Sequence, residues 1–112
     1  MARSGARPYA PVMDALVESL RQFTHVERVI LFGSRARGDY EERSDIDLAI
    51  DISRADSREW SAVEEIAENA RTLLKIDLVN LSRASSDLKH RILTEGITLY
   101  ERPKAGENPG KH

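Results

Sequence analysis

Two strand-like segments follow one another in the first half of this chain, and this order constrains the fold more than any other feature. Residues 29–32 (Val-Ile-Leu-Phe) form an apolar run typical of a buried strand, which ends at Gly33-Ser34. From Asp45 to Asp51, Ile and Leu alternate with Asp and Ala, which predicts a strand with one apolar face. Two consecutive strands disfavour a uniformly parallel sheet and favour a mixed sheet with helices on one face.

Hydrophobic spacing predicts the remaining elements. Apolar residues at helical spacing indicate a helix from Pro11 to Phe23, a second from about Asp56 to Leu74, and a third that Ser85 or Ser86 caps and Gly96 ends. Short apolar runs predict strands at 76–79 and 97–100. The expected order is α-β-β-α-β-α-β, an α+β fold built on a short mixed α/β sheet.

The length of 112 residues fits one domain, which we place at 9–101 between a disordered N-terminal arm (1–8) and a disordered C-terminal tail (102–112). The absence of cysteine excludes a disulfide scaffold, a thiol nucleophile and a zinc–thiolate site. Neither a membrane-spanning run nor a signal peptide is visible, so we expect a cytoplasmic protein. Both ends are net positive and the body is acidic, which disfavours stable nucleic-acid binding and suits a small phosphorylated ligand.

Three aspartates are candidates for the chemistry. Asp45 and Asp47 are two residues apart on a predicted strand, so their side chains share a face with Cα atoms about 6.5–7 Å apart. Such carboxylates repel unless a cation lies between them, and Mg²⁺ binds carboxylates together with substrate phosphates. If the strand that carries Asp77 lies next to the strand that carries Asp45 and Asp47, three carboxylates converge and could hold two ions. The alternative is that each aspartate lies on the solvated face of an amphipathic strand.

The Gly33-Ser34 turn is a candidate phosphate-binding element, because glycine allows close approach of the backbone and serine adds a donor. Gly-Ser is also an ordinary turn dipeptide. Either Arg35 or Arg37 could neutralise a phosphate, with Arg37 slightly favoured. The alternative for both arginines is a solvated loop in which they pair with the acids at 39, 41 and 42.

Taken together, these residues resemble a known family. Gly33-Ser34, ten residues, then Asp45-Ile46-Asp47 matches the G-S-x10-D-x-D signature of minimal nucleotidyltransferases in the polymerase-beta-like nucleotidyltransferase superfamily. The segments 31–38, 44–48, 76–79 and 92–101 also look like that family's sequences, so the resemblance spans Val12 to Glu101. It implies the nucleotidyltransferase fold, with the active site at the edge or open face of the sheet.

The resemblance also implies an activity: Mg²⁺-dependent transfer of AMP from ATP to a hydroxyl, releasing pyrophosphate. Asp45 and Asp47 would bind magnesium, with two ions expected, and Asp77 would complete the metal site and help activate the hydroxyl. Gly33 and Ser34 would hold the nucleotide phosphates, with Arg37 as a further nucleotide-binding residue.

Minimal members of this family are commonly antitoxins of HEPN-domain toxins, which they adenylylate on tyrosine. The resemblance therefore implies a HEPN toxin as partner, in a homo- or hetero-oligomer. Two other functions stay open: an antitoxin that neutralises by binding without catalysis, and a small-molecule nucleotidyltransferase of the aminoglycoside type. The three costly carboxylates favour catalysis, and the lack of a second domain in the sequence favours a protein acceptor.

Overall fold

The computed structural model describes residues 11–41, 43–53, 56–70 and 72–103. The helices are α1 (Pro11–Leu20), α2 (Ser34–Arg37), α3 (Ser57–Glu68) and α4 (Ser86–Glu95), and a 3-10 turn spans Leu81–Arg83. The strands are β1 (Val26–Phe32), β2 (Ile46–Ile52), β3 (Ile76–Asn80) and β4 (Ile97–Glu101). The predicted order is confirmed, and the sequence patterns missed only the two short helical segments. None of the described helices is long and apolar enough to cross a membrane.

The four strands form one mixed sheet in the order β3-β2-β1-β4. Strand β1 is antiparallel to both β2 and β4, whereas β2 and β3 run parallel. The end of β1 therefore lies beside the beginnings of β2 and β3, because antiparallel neighbours exchange ends and parallel neighbours share them. This edge of the sheet carries the loop that begins at Gly33 and the segment that leads into β2.

One face of the sheet packs against α1 and α3. The alternating inward residues of β1 and β2 meet the apolar stripes of these helices and are almost completely buried. The buried set comprises Met13, Leu16, Leu20, Val26, Val29, Leu31, Ile46, Leu48, Ile50, Ile52 and Val63. This larger core fixes the strand register, since a one-residue slip would turn its side chains to the other face.

The opposite face is covered by α4, so the expectation of helices on one face only is wrong for this helix. Ile92 of α4 packs with Ile30 of β1, Ala49 of β2 and Leu81, and all four are buried. The physical reason lies in Ile30 and Ala49, which make the second face apolar at the centre of the sheet. The polar residues of β2 are left at its two ends, beyond the reach of α4's apolar stripe.

Side-chain caps define where two helices begin. Asp56 accepts a hydrogen bond from the backbone N–H of Glu59 at the start of α3, and Ser85 does the same for Leu88 at the start of α4. Helix α3 ends at Glu68, earlier than the predicted Leu74. The apolar pattern continues beyond Asn69, but the Asn69 backbone leaves helical geometry there.

The folded domain extends past residue 101, where the sequence placed the start of a disordered tail. The half-buried guanidinium of Arg102 donates hydrogen bonds to the carbonyls of Arg21, Phe23 and Val26, at 2.8 to 2.9 Å. These bonds tie the end of β4 to the α1–β1 connection. The predicted N-terminal arm (1–8) and the rest of the predicted tail (104–112) lie outside the described residues.

The position of α4 gives a first prediction. Truncation of Ile92 to Ala leaves a cavity between α4 and the sheet, and we expect it to lower the free energy of unfolding by about 2–5 kcal/mol. Leu93→Ala is the matched control on the same helix, because Leu93 is 49% exposed and its truncation should change stability by about 0.5 kcal/mol or less. Urea denaturation followed by circular dichroism measures both. Equal effects of the two variants would contradict the packing of α4 on the sheet.

Candidate active site

An open cleft of about 550 Å³ lies at the edge of the sheet where β1 ends and β2 begins. Five of the residues singled out in the sequence line it, which are Gly33, Ser34, Arg37, Asp45 and Asp47. The remaining lining residues are Phe32, Arg43, Ser44, Arg91 and Glu95. The sequence-predicted nucleotide and metal residues, with the exception of Asp77, thus share one concave surface.

Strand pairing brings Asp77 next to Asp47. The two residues are direct partners in the parallel β2–β3 register, while Phe32 is the partner of Asp47 on β1. Asp77 itself lines a neighbouring groove between α3 and β3 rather than the cleft. Its Oδ1 lies 3.6 Å from the Nζ of Lys75. Asp77 therefore stands between the two concave surfaces, with its charge partly balanced by a lysine.

The surroundings of Asp47 in the cleft change the pKa of its carboxyl group. Partial burial raises the pKa of Asp47 above its ordinary value, and the carboxylates of Asp77 and Asp45 raise it further. The cations of Arg37 and Lys75 act in the opposite direction without cancelling this effect. The ionised form of Asp47 is thus destabilised in the folded protein, which is the condition that a bound divalent cation would relieve.

Asp51 shows what an ordinary aspartate of the same strand looks like. It lies at the other end of β2, where its Oδ2 is 2.9 Å from both Nε and a terminal nitrogen of Arg28. This cross-strand ion pair gives Asp51 the structural role that the sequence left open for all the aspartates of β2. The cluster around Asp47 contains like charges instead.

The donor set of Asp45, Asp47 and Asp77 fits magnesium, because it offers hard carboxylate oxygens whose mutual repulsion a cation would offset. Across the described ranges, however, no three acidic, histidine or cysteine side chains are gathered closely enough to form a metal centre as they stand. The pairing of strands that the three-aspartate hypothesis needs is present, and metal binding itself stays a prediction.

Gly33 has a conformation and a neighbour that both exclude a side chain. Its φ of 79° lies in the region that L-residues rarely adopt. A Cβ at this position would overlap Oδ2 of Asp47. Glycine therefore lets the turn after β1 pass directly against the carboxylate, so that a ligand on this turn would also lie close to Asp47.

The two loop arginines have different roles. Arg35 is 6% exposed, donates from Nε and a terminal nitrogen to the carbonyl of Ser44 at 3.1–3.2 Å, and stacks on Tyr40. It is a structural residue that ties α2 to the segment leading into β2. Arg37 is exposed on the cleft wall and pairs with Asp39 at 3.2 Å. Of the two, Arg37 is the one available to a ligand.

Sequence reasoning missed the contributions of Arg43, Arg91 and Glu95 to the cleft. Arg91 and Glu95 are four residues apart and therefore lie on one side of α4. This spacing was visible in the sequence, but it did not show which face of the sheet α4 would cover. Their place in the cleft follows only from the packing of Ile92 on Ile30 and Ala49.

Comparison with known protein families matches residues 14–105 to the family described as "Polymerase beta, Nucleotidyltransferase". The chain belongs to this family. The match covers the described site from the turn at Gly33 to Glu95, and it confirms the family predicted from the Gly-Ser and Asp-x-Asp motifs.

Two relatives carry the name protein adenylyltransferase MntA. The protein of Shewanella oneidensis is 34% identical over 77 residues, which cover 67% of this chain and 54% of that protein. The protein of Thermococcus cleftensis is 32% identical over 87 residues, covering 77% of this chain and 87% of that protein. The chain thus spans about half the length of the Shewanella relative.

The fold is also found in a crystal structure described as a toxin–antitoxin with AMP-PNP. Its chain superposes with a TM-score of 0.63 at 26% sequence identity, over 82% of this chain and 73% of that chain. This similarity confirms the expected α+β nucleotidyltransferase fold with its four-stranded mixed sheet.

The perturbed carboxylate gives a second prediction. Because the pKa of Asp47 is raised on folding, the folded protein binds a proton at higher pH than the unfolded chain, and stability falls as pH rises from the ordinary value near 3.8 through the raised one. In metal-free buffer at about pH 7, Asp47→Asn should therefore melt at a higher temperature than the wild type, and the difference should shrink towards about pH 4.

The control for this experiment is Asp51→Asn, which removes the carboxylate of an ion pair on the same strand and should not raise the melting temperature at neutral pH. A lower melting temperature for Asp47→Asn than for the wild type at neutral pH would contradict the repulsion assigned to this cluster.

Gly33 gives a third prediction, with Gly38 as its matched control. Gly38 is in the left-handed helical region, so Gly38→Ala should cost about 1–2 kcal/mol of stability. Gly33→Ala should cost at least as much, because φ 79° with ψ −157° is a region essentially restricted to glycine. A Cβ at Gly38 meets no atom within 4 Å, whereas one at Gly33 displaces Asp47. Binding of an ATP analogue, measured by calorimetry, should weaken by about tenfold or more in Gly33→Ala only. Equal binding by the two variants would show that the close approach at Gly33 does not matter for the ligand.

Proposed function

We propose that this chain is a protein adenylyltransferase, which transfers AMP from ATP to a hydroxyl of a HEPN-domain toxin and thereby acts as its antitoxin. The observation that carries the proposal is the contact between the Gly33 turn and Asp47, with Asp77 beside Asp47 in the β-sheet register. The Gly33-Ser34 turn, which we expect to bind phosphate, and two charge-coupled carboxylates lie at one sheet edge, in a chain that belongs to a nucleotidyltransferase family.

The cleft offers separate groups for the phosphates and for a metal ion. Gly33 and Ser34 would hold the phosphates of ATP, and Arg37 would exchange its exposed pair with Asp39 for a phosphate oxygen. Asp45 and Asp47 would hold Mg²⁺, with Asp77 completing the site and two ions expected. When bound, the metal supplies neutralisation of phosphate charge at the reacting centre.

The transfer itself is one displacement at the α-phosphorus. The acceptor oxygen forms a bond to phosphorus, the bond from phosphorus to the bridging oxygen of pyrophosphate breaks, and pyrophosphate leaves with the negative charge. Asp77 would accept the proton of the acceptor hydroxyl. Its side chain is 40% exposed and borders the groove between α3 and β3, so an acceptor could reach it from that side.

The identity of the acceptor rests on the relatives. Two proteins named protein adenylyltransferase MntA are 34% and 32% identical to this chain, and a structural neighbour was crystallised as a toxin–antitoxin with AMP-PNP. These similarities support a protein toxin as acceptor, and the HEPN class of the toxin and the tyrosine hydroxyl are what the family resemblance implies. They support a catalytic antitoxin over a small-molecule nucleotidyltransferase, although the site chemistry would serve both.

The electrostatics of the cleft support catalysis over neutralisation by binding alone. Burial and two neighbouring carboxylates raise the pKa of Asp47, so keeping this residue ionised is unfavourable for the metal-free protein. An inhibitor that only covers its toxin has no use for such a cluster. A nucleotidyltransferase requires one, because carboxylates must hold the ion that binds the substrate phosphates.

The test is incubation of the purified chain with labelled ATP, Mg²⁺ and its cognate HEPN-domain protein. We expect label on the toxin, and a loss of at least roughly 100-fold in the transfer rate for Asp45→Asn and for Asp47→Asn, because each removes a ligand of the reacting centre. Asp77→Asn should abolish transfer while leaving the fold intact. Asp51→Asn is the matched control, since Asp51 pairs with Arg28 outside the cleft and its variant should retain transfer.

Three outcomes would overturn the proposal in different ways. Full neutralisation of the toxin by Asp47→Asn without label transfer would identify a binding antitoxin. Label transfer to an aminoglycoside and not to the toxin would identify a small-molecule enzyme. Unchanged turnover in Asp77→Asn would remove the proton-accepting role assigned to this residue.

A further inference from the structure

Helix α4 contributes a cation to the cleft from outside the Gly-Ser and Asp-x-Asp motifs. Arg91 lines the cleft together with Gly33, Ser34 and Asp47, although it is separated from them in sequence by more than one strand and one helix. Its neighbour Ile92 is 1% exposed and packs into the core beneath α4. The buried isoleucine therefore fixes the helix so that the exposed Arg91 side chain stands at the cleft wall.

Among the residues that the structure describes, no acidic side chain pairs with Arg91. Arg35 is buried against the Ser44 carbonyl, and Arg37 pairs with Asp39. Arg91 makes no ion pair with any residue in the described part of the chain, and the same holds for Arg43. Glu95 lies on the same wall one helical turn later, and no ion pair joins it to Arg91. An unpaired guanidinium in a concave site is suited to bind an anion.

Arg91 and the carboxylates reach the cleft from different elements. Asp45 and Asp47 stand at the beginning of β2, whereas Arg91 stands on α4, which covers the second face of the sheet. The candidate phosphate-binding turn, Gly33-Ser34, lines the same cleft. A ligand that Arg91 and the carboxylates hold together, the carboxylates through a metal ion, must carry negative charge on more than one group, as a triphosphate does.

We propose that Arg91 binds the β- and γ-phosphates of the nucleoside triphosphate, the part that leaves as pyrophosphate. This inference rests on the proposed function, to which it adds a residue that selects a triphosphate over a monophosphate. When the bond between the α-phosphorus and its bridging oxygen breaks, the electron pair goes to the leaving pyrophosphate, and the guanidinium stabilises that charge through hydrogen bonds without transferring a proton.

The test compares three anions in binding to the wild type and to Arg91→Ala, in the presence of Mg²⁺: a non-hydrolysable ATP analogue, inorganic pyrophosphate and AMP. We expect Arg91→Ala to weaken binding of the analogue and of pyrophosphate by about tenfold, with AMP changed by about twofold or less. Arg91→Lys should recover part of the loss, because it retains the charge without the bidentate geometry. Calorimetry measures each dissociation constant.

Lys89→Ala is the matched control, since it removes one positive charge from the same helix at a position outside the cleft lining. It should bind all three anions like the wild type. Melting temperatures of the variants show whether each is folded, and Arg91 is exposed, so its truncation should leave the fold intact.

The remaining outcomes separate this inference from the proposed function. Wild-type affinity of Arg91→Ala for the ATP analogue, or an equal loss for AMP, would overturn the assignment of Arg91 and leave AMP transfer standing. If Arg91→Ala weakened binding of the toxin but not of the ATP analogue, Arg91 would be a contact to the acceptor, and its assignment to the triphosphate would be overturned. If the wild type binds no triphosphate at all, the proposed function fails together with this inference.

Discussion

The parallel pairing of β2 with β3 places two carboxylates side by side, and the candidate site depends on this pairing. Asp47 and Asp77 are direct register partners, and Asp45 adds a third negative charge just before β2 begins. The apolar residues between the acids hold the strands in place, because Ile46 and Leu48 are completely buried against α1 and α3. The hydrophobic core therefore enforces an electrostatic conflict that the isolated strands would avoid.

The turn after β1 passes close to this group of carboxylates. Gly33 brings the chain against Asp47 with no intervening side chain, and α2 begins immediately afterwards. Backbone donors and carboxylates are thus held near each other on rigid elements, which is the arrangement that a magnesium–phosphate ligand needs. The helix α4 completes the cleft from the other face of the sheet, so three separate parts of the chain must pack correctly before the site exists.

Most of the fold was predictable from the sequence because its strands follow simple patterns. The apolar run at 29–32 and the alternation from Asp45 to Asp51 each identify a strand by side-chain period alone. The side of the sheet covered by α4 was not predictable, since the stripe of Leu88 and Ile92 indicates a buried face but not its partner. For this reason the sequence did not show that Arg91 lines the cleft. Burial of Arg35 was equally hidden, because its partner is a backbone carbonyl, which has no sequence signature.

The anchoring of Arg35 has a consequence for how the G-S-x10-D-x-D spacing should be understood. The Arg35 guanidinium, at the start of the loop, donates hydrogen bonds to the carbonyl of Ser44, the residue just before Asp45. The two ends of the loop are therefore held at a fixed separation. Substitutions in this loop should be tolerated, because most of its described side chains are exposed to water. Insertions or deletions should not be tolerated, since a change in loop length would move Asp45 and Asp47 relative to the turn at Gly33.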